Sequence, residues 1–409
     1  MSNWKDFGLR GMPMLSGRSR IELPPPLVPL VEACRAAASE PFRGLTSDGV
    51  LRPEAFSTGG PGASTAHITD AAQRLLSSLN ADQQAAVTFP LNSNERRTWF
   101  NIHPNVFRHG LMLESLATAQ REAALSIVSA TLSQRGYRQA RDIMRLNGLL
   151  VEITGRAEEY GEWPYWFSLF GTPGTNEPWA WQLDGHHLNL NCTVLPDRIV
   201  LTPSFMGSEP CHVYEGSLAG TEVFVPEERA GLQLIRSLND AQQAQAILYD
   251  SIAPGDLPAH LNHFIDGRMQ GAAFKDNAVI ATAGVRGSEL TDAQRGLLRN
   301  VVATYIGWGN DAHAEITMRD VDAHLDATYF SWMGTRDDSG PFYYRVQSDV
   351  VFIEFDHHPG IVFDNTAPTR NHIHTILRTP NGRDFGHDLL GAHYAEFDHS
   401  RGEHRPHGH

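Results

Sequence analysis

Trp179-Ala180-Trp181-Gln182-Leu183-Asp184-Gly185-His186-His187-Leu188-Asn189-Leu190-Asn191 alternates in polarity along most of its length. Successive side chains of a strand point to opposite faces, so the run predicts β-structure. Taken as one extended stretch, it places Trp179, Trp181, His187, Asn189 and Asn191 on one face. His186, Leu188, Leu190 and Cys192 then share the other. A bulge at Gly185 would change how the tryptophans line up with His187, but not the pairing of His187 with the asparagines. Large aromatics beside Asn and His suit a ligand-lined cleft; the competing reading is a wet surface face.

Outward from this run the same texture continues. Asp197 to Thr202 reads as a strand after a Pro196-Asp197 turn, and Ala312–Met318, Tyr343–Val346, Val350–Phe355 and His372–Leu377 read as further strands. Helical spacing of apolar residues marks a short stretch from Leu27 to Ala38, then Leu111–Leu132, Gln139–Leu150, Asp240–Tyr249 and Asp292–Ile306. The strands lack regular βαβ alternation, so the expected class is α+β. We expect a helical N-terminal layer packed on a largely antiparallel sheet, with helices between the strand groups that allow two halves. The expected division is an extension and linker over 1–69, with a Gly/Ser/Thr/Pro-rich run at 57–65. A helical layer over 70–160 comes next, forming one unit with a β-rich core over 161–395, and a disordered, His-rich tail closes the chain at 396–409.

One local pattern recurs at Asn80-Ala81-Asp82-Gln83, Asn239-Asp240-Ala241-Gln242 and Thr291-Asp292-Ala293-Gln294. An Asn or Thr that accepts a first-turn amide, with Gln three residues on returning a bond, is a capping box. The recurrence signals either internal duplication or helix starts of convergent chemistry. No fixed period aligns the residues downstream of the three boxes, which favours convergence.

The 409 residues carry a net charge of −14, with 41% hydrophobic and 20% charged residues. A phosphate-backbone binder wants the opposite sign or a basic stripe, and neither is present. No window reaches the roughly 20 apolar residues of a membrane helix. The start, Met1 to Leu15, has no apolar core of the secretory kind. Cys34, Cys192 and Cys211 are widely spaced and read as reduced core thiols. The expectation is a cytoplasmic protein that acts on a small molecule, without nucleic-acid or membrane partners, and able to form a homo-oligomer.

Chemistry concentrates in histidine. Asn371-His372-Ile373-His374 places two imidazoles on one strand face, followed on that face by Arg378. Neutral imidazole is a common ligand for zinc, iron, copper and manganese. Upstream, Glu354 and Asp356 share one face of an otherwise apolar strand, where a carboxylate is costly to bury unless paired or bound to a cation. The alternative for them is a salt bridge to Arg345 or Arg378. Glu209, in the loop after Thr202-Pro203-Ser204-Phe205-Met206-Gly207, is a general acid/base candidate or a plain loop carboxylate. The chain contains no GxSxG elbow, GxGxxG after a strand, P-loop or HExxH.

Several of these stretches occur together in one family. They are Phe170-Gly171-Thr172-Pro173, the run from Glu177 to His187, Thr202 to Pro210, Tyr343-Tyr344-Arg345, Ile353 to His357, His372-Ile373-His374 and Arg378 to Gly382. In their order and spacing the chain resembles the family catalogued as domain of unknown function 3500, from roughly Asp70 to His393. The resemblance implies one unit holding both histidine clusters and supplies no reaction. Trp179-Ala180-Trp181 stands where the family pattern has Trp-Gly-Trp.

The leading expectation is a mononuclear metal enzyme with a divalent ion (Zn, Fe or Mn). His187, His372 and His374 would be ligands, and Glu354 or Asp356 a carboxylate ligand or its support. Trp179, Trp181 and Asn189 would line the substrate pocket, Arg345 or Arg378 would hold an anionic group, and Glu209 would move protons. Metal-activated water hydrolysis is favoured over iron and oxygen chemistry. The alternative is a non-catalytic protein whose Trp/His/Asn face binds a sugar-like ligand.

Overall fold

The alternating run folds as two strands, not one. Trp179–Gly185 and Leu188–Val194 pair antiparallel around a two-residue turn, His186-His187, with His187 at φ 63°. The computed structural model describes residues 8–10, 18, 25–57, 61–103, 105–174, 176–263, 265–398 and 405–406. The reading of the first fifteen residues falls mostly outside these, as does most of the tail expected to be disordered. Of that tail, Phe397–Asp398 pairs with Arg405–Pro406.

Thirteen strands build the main sheet: β1 (Thr88–Phe89), β2 (Leu111–Met112), β3 (Tyr165–Phe170), β4 (Trp179–Gly185), β5 (Leu188–Val194), β6 (Ile199–Val200), β7 (Ser204–Ser208), β8 (Ile247–Tyr249), β9 (Val285–Arg286), β10 (Tyr329–Gly334), β11 (Phe342–Gln347), β12 (Phe352–His357) and β13 (Ile373–Arg378). The described helices are α1 (Val28–Ser39), α2 (Ala66–Ser78), α3 (Ala81–Val87), α4 (Thr118–Thr131), α5 (Gln134–Thr154), α6 (Val225–Ser237), α7 (Asp240–Ala246), α8 (Asp292–Ile306), α9 (Asp311–His324) and α10 (His387–Glu396). The sheet runs β1-β3-β4-β5-β7-β13-β12-β11-β10-β8, antiparallel except at β1–β3 and β8–β10. The class is α+β, as the strand and helix patterns require.

The chain makes this arrangement twice. In the first half α2 and α3 lead into β1, and β2 leads into α4 and α5. Both short strands pair with β3, which opens the antiparallel series β3-β4-β5-β7. In the second half α6 and α7 lead into β8, and β9 leads into α8 and α9. Both short strands pair with β10, which opens β10-β11-β12-β13. The halves meet where β7 pairs with β13. The capping boxes belong to this repetition. Asn80, Asn239 and Thr291 each accept the amide of the Gln three residues on, starting α3, α7 and α8. The glutamines also bond across helices, Gln83 with Gln120 and Gln242 with Gln294. Those partners lie 37 residues apart in the first half and 52 in the second. The two halves thus repeat one arrangement, with the boxes of α3 and α7 at equivalent places, although no fixed period relates their sequences.

Both sheet faces are covered. The α2–α9 helices pack on one, around Leu75, Ile143, Trp181, Leu190, Leu298 and Phe355. On the other, α1 and long loops enclose Val31, Trp99, Phe205, Met269, Phe352 and Ile376. This double burial explains why β4, β5, β12 and β13 contain no exposed position. Three assignments from the pattern are corrected. Ala312–Met318 is helical, because Asn310 caps α9 through the His313 amide and the buried Met318 and Val321 recur at helical spacing. The helix expected from Leu111 starts at Thr118, after β2, and the one expected to reach Tyr249 ends at Ala246, where β8 begins. All three cysteines are buried and free. Among the described residues, no helix is long and apolar enough to cross a membrane.

Candidate metal centre

The tight turn puts His187 at the end of β4–β5, beside the two central strands. The His187 carbonyl accepts the Gly207 amide at 2.7 Å, and Gly207 pairs with His374 on β13. A side chain at Gly207 would intrude: its Cβ would lie 2.9 Å from His374 Cδ2 and 2.8 Å from the Ile373 carbonyl oxygen. Glycine therefore leaves the space in which imidazoles from the two halves of the molecule meet. His372 Nε2 lies 3.3 Å from His187 Nε2 and 3.0 Å from His374 Nε2. Nitrogens about 2.0–2.1 Å from one tetrahedral ion stand about 3.3 Å apart, and these two separations match that spacing.

The hydrogen bonding of His372 points the same way. Its Nδ1 lies 2.6 Å from the Pro359 carbonyl, which only accepts, so Nδ1 carries a proton, and in the neutral ring Nε2 presents the lone pair. That single lone pair faces two further imidazole nitrogens. A cation at their focus satisfies all three at once, whereas a proton satisfies one contact and leaves the other. The three residues could hold a metal ion; all their candidate ligand atoms lie within 4.8 Å of one another.

His187, His372 and His374 are 6%, 2% and 5% exposed and line a cavity of about 370 Å³ with His103, His186 and His358. Tyr160, Asn101, Ile102, Ile265 and Val362 complete much of its wall. Burial, reinforced by neighbouring imidazoles, drives the pKa of His186, His187 and His374 well below the usual histidine value. Neutral rings are the form a metal needs. Burial likewise lowers His358 to about 4 against the opposing pull of Asp356. Burial would raise Asp356, but Arg268 and His358 outweigh it and hold that carboxyl at about 2.

Other residues singled out in the sequence lie elsewhere. Trp179 and Trp181 face the helical layer, because the turn sets Trp181 opposite Cys192 and Gln182 opposite Asn191. Trp181 stacks on Phe167 and Trp179 Nε1 donates to Thr69, so neither indole lines the cavity. Asn189 donates to Asp184 and the Gly185 carbonyl behind the turn. Burial raises Asp184 to about 8. Glu354 accepts from the Gln270 and Gly271 amides and the Tyr343 hydroxyl, away from the triad; Asp356 lies 2.9 Å from the cavity histidine His358. Arg345 donates to the Ala281 carbonyl. Arg378 is enclosed between Asp276 and Asp384 at 2.6 and 2.8 Å, and these carboxylates outweigh burial to raise its pKa. Glu209 accepts the amides of Ile361, Val362 and Phe363 and sits 3.7 Å from His372 Nδ1, so it braces the cavity wall. For Glu354 and Asp356 the cost of burying a charge, which marked them in the sequence, is offset by local partners.

The family model described as protein of unknown function (DUF3500) matches residues 61–387. The chain belongs to that family. No curated protein and no solved structure matches it. The DUF3500 match spans both halves and all three clustered histidines, whereas Leu9, Arg10 and Leu27 bring residues from outside the match to the cavity. His186, His358, Asn101 and Gly207 were not among the expected site residues. The usable signal was Gly185-His186-His187 between two alternating runs, the pattern of a two-residue hairpin turn.

Proposed function

We propose that this DUF3500 protein is a metal-dependent enzyme that hydrolyses a small molecule. The observation that carries the proposal is the meeting of three imidazoles from separate halves inside a cavity large enough for a small substrate. Three nitrogen ligands leave a fourth position open, and zinc so held lowers the pKa of bound water to about 7. Neutral ligands also leave the ion its full double charge with which to polarise a carbonyl. The two-histidine, one-carboxylate arrangement of oxygen-activating iron sites lacks its carboxylate, since Glu354 and Asp356 are engaged elsewhere. A sugar-binding reading loses its aromatic platform once Trp179 and Trp181 lie in the core.

Metal analysis of untagged full-length protein, beside His372→Ala and His372→Ala/His374→Ala, tests this. The wild type should carry about one ion more than either variant, a difference to which the histidines of the tail cannot contribute. Equal metal in all three chains would refute the centre. Esterase and amidase screens should then show activity only in the loaded wild type, abolished by chelator and restored by added zinc.

A further inference from the structure

We infer that the substrate of this cavity carries an anionic group, a carboxylate on an apolar body, and that Arg10 receives it at the rim. The inference rests on the reading of the cavity as the substrate site, but not on the metal. Among the described residues, the charged side chains that line the cavity, apart from the histidines, are Arg10, Arg156 and Glu159. Arg156 stands 3.1 Å from Glu159, whose side chain is buried, so these two offset each other. Arg10 is held less closely. Its Nε lies 3.7 Å from Asp364, a side chain 63% exposed, and its Nη2 donates to the Asn365 carbonyl at 3.5 Å. An ion pair so long and so exposed is screened by water and contributes little, so an incoming anion meets weak competition for the guanidinium.

The backbone, not that ion pair, sets where Arg10 stands. Its amide donates to the Val362 carbonyl at 2.9 Å, the Asp364 amide donates to the Gly8 carbonyl at 2.7 Å, and Leu9 pairs with Phe363 between them. The same loop carries the Pro359 carbonyl that binds His372 Nδ1, and Glu209 accepts its amides at 361–363. Arg10 and the triad are thus tied to one braced segment. The Arg10 side chain is 31% exposed and Leu9 beside it 47%, whereas the triad is buried, so the arginine marks the mouth and the histidines the floor. Leu27, Ile102, Ile265 and Val362 supply apolar wall. A carboxylate at the mouth gains a charge-assisted bond that a neutral group does not, while an apolar body covers this wall and leaves its far end to the triad. A dication at the triad would add charge of the same sign as Arg10 and draw anions to the cavity. Arg10 lies outside residues 61–387 of the family match, so this recognition comes from the N-terminal extension.

The test uses two probes of equal size, cyclohexanecarboxylate and cyclohexanecarboxamide, titrated by ligand-observed NMR into chelator-treated full-length protein at pH 8. The carboxylate should bind at least about tenfold more tightly. Arg10→Gln should remove most of that advantage without changing the carboxamide or the melting temperature, and Arg10→Lys should keep part of it. Equal binding, a preference for the carboxamide, or no binding of the carboxylate overturns the inference on wild-type protein alone. A preference that survives Arg10→Gln in full overturns the assignment to Arg10. Zinc uptake is then measured on the same sample. Carboxylate preference without zinc uptake would sink the metal reading and leave this one standing; zinc uptake with equal binding of the two probes would do the reverse.

Discussion

The two halves of the sheet share one plan but not one chemistry. In the first, the hairpin of β4 and β5 turns through His186-His187; in the second, that of β11 and β12 turns through Asp349-Val350, where the Ser348 amide donates to the Val351 carbonyl at 2.8 Å. The first turn opens on the histidine cavity of about 370 Å³. The second borders a cleft of about 80 Å³ with Ile199, Leu201 and Ile306. The second half contributes to the histidine cavity through β13, which supplies His374 next to Gly207 of β7. Among the described residues the repeated scaffold thus brings one histidine triad together, and does so across the junction. The order of the main strands is shared, whereas the turns, the insertions and the cap at Ala117 against Thr291 differ.

The largest effect should come from removing one nitrogen on either side of that junction. His187→Ala in the first half and His374→Ala in the second should each reduce bound metal to near zero, measured by elemental analysis. Retention of metal by either variant would assign the centre to one half and break the comparison. Gly207→Ala should also impair metal binding, because its Cβ meets His374. In the converse direction, Val350→His should add no metal at the second turn, since Leu201, Thr202, Leu377 and Thr379 border it and offer no His-x-His pair.

Next comes the asymmetry in buried charge. Arg378→Met leaves Asp384 without its cation and Asp276 with Arg97 alone, and should cost about 3–5 kcal/mol in denaturant unfolding. Glu209→Gln keeps an acceptor for the 361–363 amides and should cost about 1–3 kcal/mol. A cost for Arg378→Met below about 1 kcal/mol would show that the pairing is not what stabilises these loops.

The depressed histidines give a pH dependence of defined sign. Their folded values lie below the unfolded value near 6.5, so below that pH the unfolded chain binds more protons. Stability of the metal-free protein should be fully present above roughly pH 6.5 and decline as pH falls beneath it. The decline should be smaller in His187→Phe, and an unchanged melting curve between pH 7.5 and 5 would contradict the burial argument. Metal-loaded protein should melt higher than chelated protein at the upper pH, and this difference should shrink on acidification.

The smallest effects lie where the halves agree. Asn80→Ala and Asn239→Ala should each cost about 0.5–2 kcal/mol and by similar amounts, without touching metal content. Thr291 caps α8, whereas Ala117 occupies the same place before α4 and Gln120 returns its bond alone. Ala117→Ser should therefore stabilise by a few tenths to about 1 kcal/mol, read as a rise in melting temperature.

Period-two alternation, capping boxes and the spacing of His-x-His are properties of a few consecutive residues. The sequence by itself therefore determined the class, the starts of α3, α7 and α8, and the three histidines that cluster. What lay beyond it depended on which face each residue meets. Because the turn at His186-His187 reverses the chain, Trp179 and Trp181 lie on the opposite face from Asn189 and Asn191, which a single extended strand would have joined. Because both faces of the sheet are buried, a polar residue in a strand does not by itself mark a cleft; Glu354, Arg345 and Arg378 find their partners in loops far away in sequence. The meeting of His187 with His372 across 185 residues, and the outer partners that fix which ring nitrogens face inward, were decided only by tertiary structure. Sequence separation carries no information about such contacts, because they are set by strand order and by the packing of loops over the sheet.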